Sequence, residues 1–235
     1  MRDVIIIPTY NEKNTISLLI PKVFKHAPQV FVIVVDDSSP DGTADEVRKM
    51  SETYPNLSVL VKEEKKGLGE AYKYALASLK DNSAVGTFIT MDADGSHDPV
   101  SLPSFYEALK KHDLVVGSRY VKGAGIDNWS FDRILLSRFG NIYAKYFTQV
   151  PIHDLTAGFV GFRKRVLDKL NLDTISSSGY AYQIEFKHAS HKAGFSLKEI
   201  PIIFKEREIG SSKITFSIIL EGIITPLRLA LKKTL

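Results

Sequence analysis

The chain has no cysteine among its 235 residues, which excludes a disulfide framework, a thiolate-bound metal and a cysteine nucleophile. Any catalytic metal must therefore sit on oxygen or histidine ligands. A strong charge of either sign is also missing: 31 Lys and Arg against 27 Asp and Glu leave a formal +4, too small an excess to point to nucleic acid. No run of about 18 apolar residues is present, so no transmembrane span is expected. The first apolar run, Val4-Ile5-Ile6-Ile7, stops at Pro8, too short for the hydrophobic region of a signal peptide, and this favours the cytosolic side. No G-x-G-x-x-G follows that run and Gly67-Leu68-Gly69 lacks a third glycine, which argues against a dinucleotide-binding oxidoreductase.

What is present is ordinary globular composition, 44% hydrophobic and 25% charged, with a clear order. Short β-branched runs (4–7, 30–35, 57–61, 87–91 and 114–116) alternate with amphipathic stretches (16–26, 43–54, 69–79 and 102–111). That order predicts an α/β domain with a mostly parallel sheet flanked by helices. Beyond residue 118 the alternation breaks: Gly123-Ala124-Gly125 leads to a long helix over 131–148, and short elements then mix. No repeat or linker divides the chain.

Polar clusters follow the apolar runs, where open α/β sheets bind ligands. Asp92 and Asp94 stand two apart at a strand end and can reach one site, and paired oxygen ligands suit Mg²⁺ or Mn²⁺. A plain Asp-Gly-Ser turn is the alternative. Asp36 and Asp37 end a second strand, and such a concentration of carboxylates needs a cation or hydrogen-bond donors. Asp41 and Thr43 suit the start of a helix. His97 fits a turn better than a catalytic base. Arg119, Arg133, Arg163, Arg207 and Lys213 lie in or near Gly- and Ser-containing segments, where long cations can converge on phosphate.

Taken together, Pro8-Thr9-Tyr10-Asn11-Glu12, Val35-Asp36-Asp37-Ser38-Ser39-Pro40-Asp41-Gly42-Thr43, Gly67-Leu68-Gly69, Met91-Asp92-Ala93-Asp94-Gly95-Ser96-His97, Gly117-Ser118-Arg119-Tyr120 and Asp154-Leu155-Thr156-Ala157-Gly158-Phe159 resemble, in order, the motifs of inverting family 2 glycosyltransferases. Within that family the likeness is to the polyprenol (dolichol) phosphate mannose synthases, and it covers nearly the whole chain. It implies a GT-A-type, Rossmann-like open twisted sheet over residues 1–213, with residues 214–235 as a C-terminal amphipathic segment. It further implies that Pro8, Tyr10, Glu12 and Asp37 hold the nucleobase and ribose of a nucleotide-sugar donor, GDP-mannose. Asp92 and Asp94 would bind Mg²⁺ or Mn²⁺ with the donor diphosphate, and Arg119 and Arg133 would meet the sugar or the acceptor phosphate. Residues 204–213 resemble the subfamily's phosphate-gripping loop, with Arg207 and Lys213 as its cations. Glu185 matches an acidic position without a clear role. Two positions depart from the pattern: Ser96 stands where Gln is common, and Leu155 where Pro is common.

The acceptor implied is a polyprenyl or dolichyl phosphate, already an anion, so alignment and charge neutralisation matter more than a general base. Another donor, such as UDP-glucose, and a non-catalytic nucleotide-sugar-binding module remain open. At the C-terminus, Ser217, Glu221, Thr225, Arg228 and Lys232 form one narrow polar stripe on a helix whose other faces are apolar, and Pro226 marks a kink or a second short helix. Such a helix suits a membrane surface on its cytosolic side, a small membrane-anchored partner, or packing on its own domain.

Overall fold

The computed structural model describes residues 1–64, 67–177, 179, 181–206 and 216–231. The first strand, β1 (Arg2–Thr9), is rich in isoleucine and buried on both faces, as a central parallel strand must be. Its side chains alternate between two cores: Val4 and Ile6 join one, Ile5 and Ile7 the other. The chain continues through α1 (Lys13–His26), β2 (Phe31–Asp36), α2 (Thr43–Ser51), β3 (Leu57–Val61), α3 (Leu68–Leu79), β4 (Val85–Thr90), α4 (Leu102–Leu109) and β5 (Leu114–Ser118). This is the alternation expected from hydrophobic periodicity.

The second half adds β6 (Gly125–Ile126), α5 (Phe131–Thr148), β7 (Val160–Arg163), α6 (Lys164–Lys169), α7 (Ala181–Lys192), β8 (Leu197–Pro201), β9 (Ile203–Phe204) and α8 (Phe216–Leu231). The main sheet has seven strands in the order β3-β2-β1-β4-β7-β5-β8. Only β7 opposes its neighbours, inserting antiparallel between β4 and β5, while β6 and β9 pair in a small separate sheet. Gly161 of β7 lets α4 approach closely: a Cβ there would lie 3.0 Å from the side chains of both Leu109 and Phe105.

From β1 the chain moves to β2 and β3 on one side and then crosses to β4 on the other. The carboxyl ends of β1 and β4 therefore flank a topological switch point, where the intervening connections diverge and leave a crevice.

Helix α8 runs through Pro226 as one element and packs on α5 and α7. The described residues of its polar stripe, Glu221, Thr225 and Arg228, face the protein. Arg228 donates to Glu185 at 3.0 Å, the Thr225 and Ser177 hydroxyls pair at 3.2 Å, and Glu221 accepts from the Gly179 amide at 3.2 Å. Leu220, Ile223, Ile224, Leu227 and Leu231 look outward and are exposed. On α5 the residues Phe131, Leu135, Leu136, Phe139, Ile142 and Tyr146 are likewise exposed. Among the described residues, no helix is long and apolar enough to cross a membrane.

Candidate active site

The ends of β1 and β2 are held in register, Pro8 opposite Val35 and Thr9 opposite Asp36, so the turns that follow emerge side by side. Asp36 is satisfied within the protein: Thr9 Oγ1 donates to it at 2.9 Å, Ser39 Oγ at 2.6 Å and the Ser39 amide at 2.8 Å. Asp37 is buried against Lys62, whose Nζ lies 2.7 Å from Oδ1. The carboxylates after β2 are thus stabilised by hydrogen-bond donors and one ammonium group. Asn11 adopts a left-handed φ of 57°, and Glu12, directly before α1, accepts from the Thr15 hydroxyl at 2.8 Å. Asp41 accepts from the Thr43 and Lys13 amides, tying the starts of α1 and α2 together. Pro8, Tyr10, Glu12 and Asp37 therefore occupy neighbouring strand ends and turns on the β1–β2 side of the crevice.

Across the switch point, Asp92 and Asp94 follow β4. Asp94 Oδ1 accepts from the Ser96 amide at 3.0 Å and from Ser96 Oγ at 2.6 Å, so Ser96 orients this carboxylate. His97 is buried and stacks on Phe159, with ring centroids 4.9 Å apart. Burial lowers its pKa, overriding the Asp92 and Asp94 charges that raise it. Its Nδ1 accepts from the Asp92 amide at 2.9 Å, which leaves the proton of the neutral ring on Nε2. That is the arrangement of a turn-forming histidine, not of a base. Gly158 closes on the same group: a Cβ there would lie 3.5 Å from Asp92 Oδ1 and from His97 Cε1.

The third component is cationic. Arg119 forms a fork with Asp154, Nε to Oδ2 at 2.7 Å and Nη2 to Oδ1 at 2.6 Å, and Nη2 also reaches Thr156 Oγ1 at 2.8 Å. Burial alone would raise the Asp154 pKa, but the Arg119 charge and hydrogen bonds hold it low. The Arg119 guanidinium also lies 5.5 Å from the ring of Trp129, and that of Arg133 is 3.9 Å from the same ring. Arg133 pairs with Glu206 at 3.1 Å.

Asp92, Asp94, Arg119 and Arg133 meet in one cavity of about 460 Å³, which runs on past Leu136, Phe139 and Tyr143 of α5 to Gly222 and Ile223 of α8. The structure brings these four residues of the sequence reading together; Pro8, Tyr10, Glu12 and Asp37 are not among the residues that line the cavity. Arg163 instead donates to the Leu109 carbonyl at 2.5 Å, at the far end of β7. Arg207 and Lys213 lie outside the described residues. Glu185 acquires a place: it accepts from the Ser177 amide at 3.0 Å, the Ser177 hydroxyl at 2.8 Å and Arg228 at 3.0 Å, clasping α8 to α7.

Sequence reasoning missed Lys62, Trp129 and Lys187, and assigned no role to Asp154. Lys187 carries a pH signature. Burial lowers its pKa to about 7, outweighing the attraction of Asp154. Between about pH 7.5 and 9.5 the unfolded chain binds a proton there that the folded chain does not, so stability rises with pH, by at most about 1.4 kcal/mol per unit. Urea midpoints across that window are expected to climb, and Lys187→Met to flatten the slope; equal slopes would refute the buried neutral amine.

Two carboxylates at a strand end, a cationic wall and a switch-point crevice thus meet at the carboxyl edge of a sheet of the GT-A type. Among the described residues no three or more acidic or histidine side chains gather as a closed metal cage. The hard oxygens of Asp92 and Asp94 fit a divalent cation that completes its shell with donor phosphates and water. Residues 4–171 match the model of glycosyl transferase family 2, and the chain belongs to that family. It is 40% identical over 224 residues to the polyprenol monophosphomannose synthase of Mycolicibacterium smegmatis, covering 94% of this chain and 84% of that protein. It is 37% identical over 230 residues to the undecaprenyl-phosphate mannosyltransferase of Micrococcus luteus, covering 97% and 93%. Among solved structures, glucosyl-3-phosphoglycerate synthase from Mycobacterium tuberculosis, in complex with Mn²⁺, UDP and phosphoglyceric acid, superposes with a TM-score of 0.69 at 17% identity, covering 97% of this chain and 78% of that one. A mannosyltransferase from Pyrobaculum calidifontis, in complex with GDP-Man and Mn²⁺, gives a TM-score of 0.58 at 17% identity over 98% and 73%.

Proposed function

We propose that the protein transfers mannose from GDP-mannose to the phosphate of a polyprenyl or dolichyl phosphate, with inversion, at the cytosolic surface of a membrane. The observation that carries this reading is the cavity itself: polar at Asp92, Asp94, Arg119 and Arg133, then apolar between α5 and α8, it matches a phosphate joined to a hydrocarbon chain. The names of the relatives support the sugar and the acceptor class, and the GDP-Man complex of the archaeal neighbour supports the donor.

In this mechanism an oxygen of the lipid phosphate attacks the anomeric carbon as the bond from that carbon to the diphosphate oxygen breaks. The α-linked donor becomes a β-linked lipid phosphate sugar, and GDP leaves. The acceptor is anionic, so no residue need remove a proton, in keeping with a buried, neutral His97. Asp92 and Asp94 would hold Mg²⁺ or Mn²⁺, which supplies charge neutralisation for the leaving diphosphate. Pro8, Tyr10, Glu12 and Asp37 would hold base and ribose. Arg133 serves the acceptor phosphate, Arg119 keeps the sugar-facing wall in place, and Arg207 and Lys213 add phosphate-binding charge. Residues 1–213 form the catalytic unit, with 214–235 as the membrane-facing segment.

A transfer assay with radiolabelled GDP-mannose, Mn²⁺ or Mg²⁺ and a short polyprenyl phosphate in detergent tests the reading, with UDP-glucose in parallel. Lipid-extractable label from GDP-mannose that disappears with EDTA is expected. Label from UDP-glucose instead would change the donor, and no label from either would overturn the assignment.

The outward apolar faces of α5 and α8 support docking on a lipid surface: α8 has turned its polar stripe inward, the reverse of a helix facing water. The double variant Ile142→Glu/Tyr146→Glu alters that face outside the cavity. It is expected to lose at least about tenfold in partitioning onto anionic vesicles while keeping turnover in detergent. Unchanged flotation would point to a protein partner on this face instead.

A further inference from the structure

The segment 154–158 forms a wall of the cavity, through Thr156, Ala157 and Gly158, yet it belongs to no helix or strand. Five of its backbone polar groups bond to side chains reaching in from other elements. Glu199 of β8 accepts from the Asp154 amide at 2.9 Å, Asn141 of α5 accepts from the Thr156 amide at 3.1 Å, and Thr90 of β4 donates to the Gly158 carbonyl at 2.8 Å. The Leu155 and Ala157 carbonyls both accept from one atom: Lys187 Nζ of α7, at 2.9 and 2.7 Å. Lys187 is fully buried, with no exposed surface. Packing alone would be served by an apolar side chain at lower desolvation cost.

We propose that Lys187 is a positioning residue for the transfer reaction, holding the 154–158 wall so that Asp154 presents Arg119 and Gly158 abuts Asp92. Two N–H donors from a single nitrogen satisfy two carbonyls that would otherwise be buried without partners. A neutral amine supplies both, which agrees with the lowered pKa. Loss of those donors frees the wall at two alternate residues. The displacement passes along the chain to Asp154, and so to the Arg119 fork, and to Gly158, against Asp92. The proposal rests on the reading of this cavity as the transfer site.

The chain's single tryptophan gives a readout independent of turnover, because Trp129 lies beside the Arg119 and Arg133 guanidiniums. Lys187→Met removes both donors, and Lys187→Gln returns two on one nitrogen. With thermal stability measured for both, Lys187→Met is expected to lower kcat by about tenfold to a hundredfold, with a smaller change in KM. It should also alter Trp129 emission and its response to added Mn²⁺ and GDP. Lys187→Gln should recover part of both signals. Wild-type kcat and emission in Lys187→Met would overturn the proposal, as would two folded variants that lose activity equally with unchanged emission. If Lys187→Met does not fold, the comparison of Lys187→Gln with wild type decides by the same criteria. A wild-type protein inactive in the transfer assay would count against the functional reading alone, since the emission of the variants would still report whether Lys187 sets the wall.

Discussion

Asp94→Asn is expected to leave the protein folded while lowering turnover about a thousandfold. Asp94 follows β4 instead of filling either core, and its contacts with the Ser96 amide and hydroxyl survive the change because an asparagine Oδ1 still accepts both. What is lost is one negative charge at the point where a divalent cation and a diphosphate would meet. The Mn²⁺ concentration for half-maximal activity should rise together with the fall in kcat, and thermal unfolding should stay near that of the parent. Turnover close to wild type would remove Asp94 from the site. A large fall in melting temperature would instead make it a structural residue of the turn.

Asp154→Ala carries the largest expected effect on stability. Asp154 has no exposed side-chain surface, and its partner Arg119 is 9% exposed, so the fork between them is a buried ion pair. Removing one member leaves a guanidinium in the interior without its carboxylate, at a cost of about 3–5 kcal/mol. In a chain of this length that corresponds to a fall in melting temperature of about 6–20 °C. The double variant Arg119→Met/Asp154→Leu removes both charges and should recover much of that stability, because the desolvation penalty goes with them. It should not recover turnover, since the cavity has lost one of the two cations beside Trp129 and the anchor of the 154–158 wall. A cost for the double variant equal to the sum of the costs of Arg119→Met and Asp154→Leu made singly would show that the pair is not coupled.

The candidate site was unevenly legible in the sequence. Asp92 and Asp94 were visible because strand periodicity places residues two apart on one face, and because the run from Thr87 to Met91 declares itself a strand by composition. The helix over 131–148 coincides with α5. Its exposed apolar row was present in the same residues, at spacings of three and four, but periodicity alone could not say whether that row faced a core or the outside. Arg119 was found as a cation of the site but not as one already engaged, because Asp154 lies 35 positions further on and only the approach of β5 to the segment before β7 brings them together. Lys62 and Lys187 gave no signal: a lysine near the end of a strand or within a helix is usually solvated.

The sequence by itself determined the alternating α/β order, the strand ends at which polar residues cluster, the absence of cysteine thiol chemistry and the two carboxylates suited to a hard cation. These follow from local periodicity and side-chain chemistry, which act over a few residues. Tertiary structure alone decided that β7 runs against its neighbours, that Lys62 meets Asp37 and that Lys187 ties the wall of the cavity. It also decided that the polar stripe of α8 turns inward to Glu185 and Ser177 while the apolar faces of α5 and α8 look out. A buried charge or an amphipathic face is stabilised by whatever the fold sets against it, and that neighbour is chosen by packing between elements far apart in the chain.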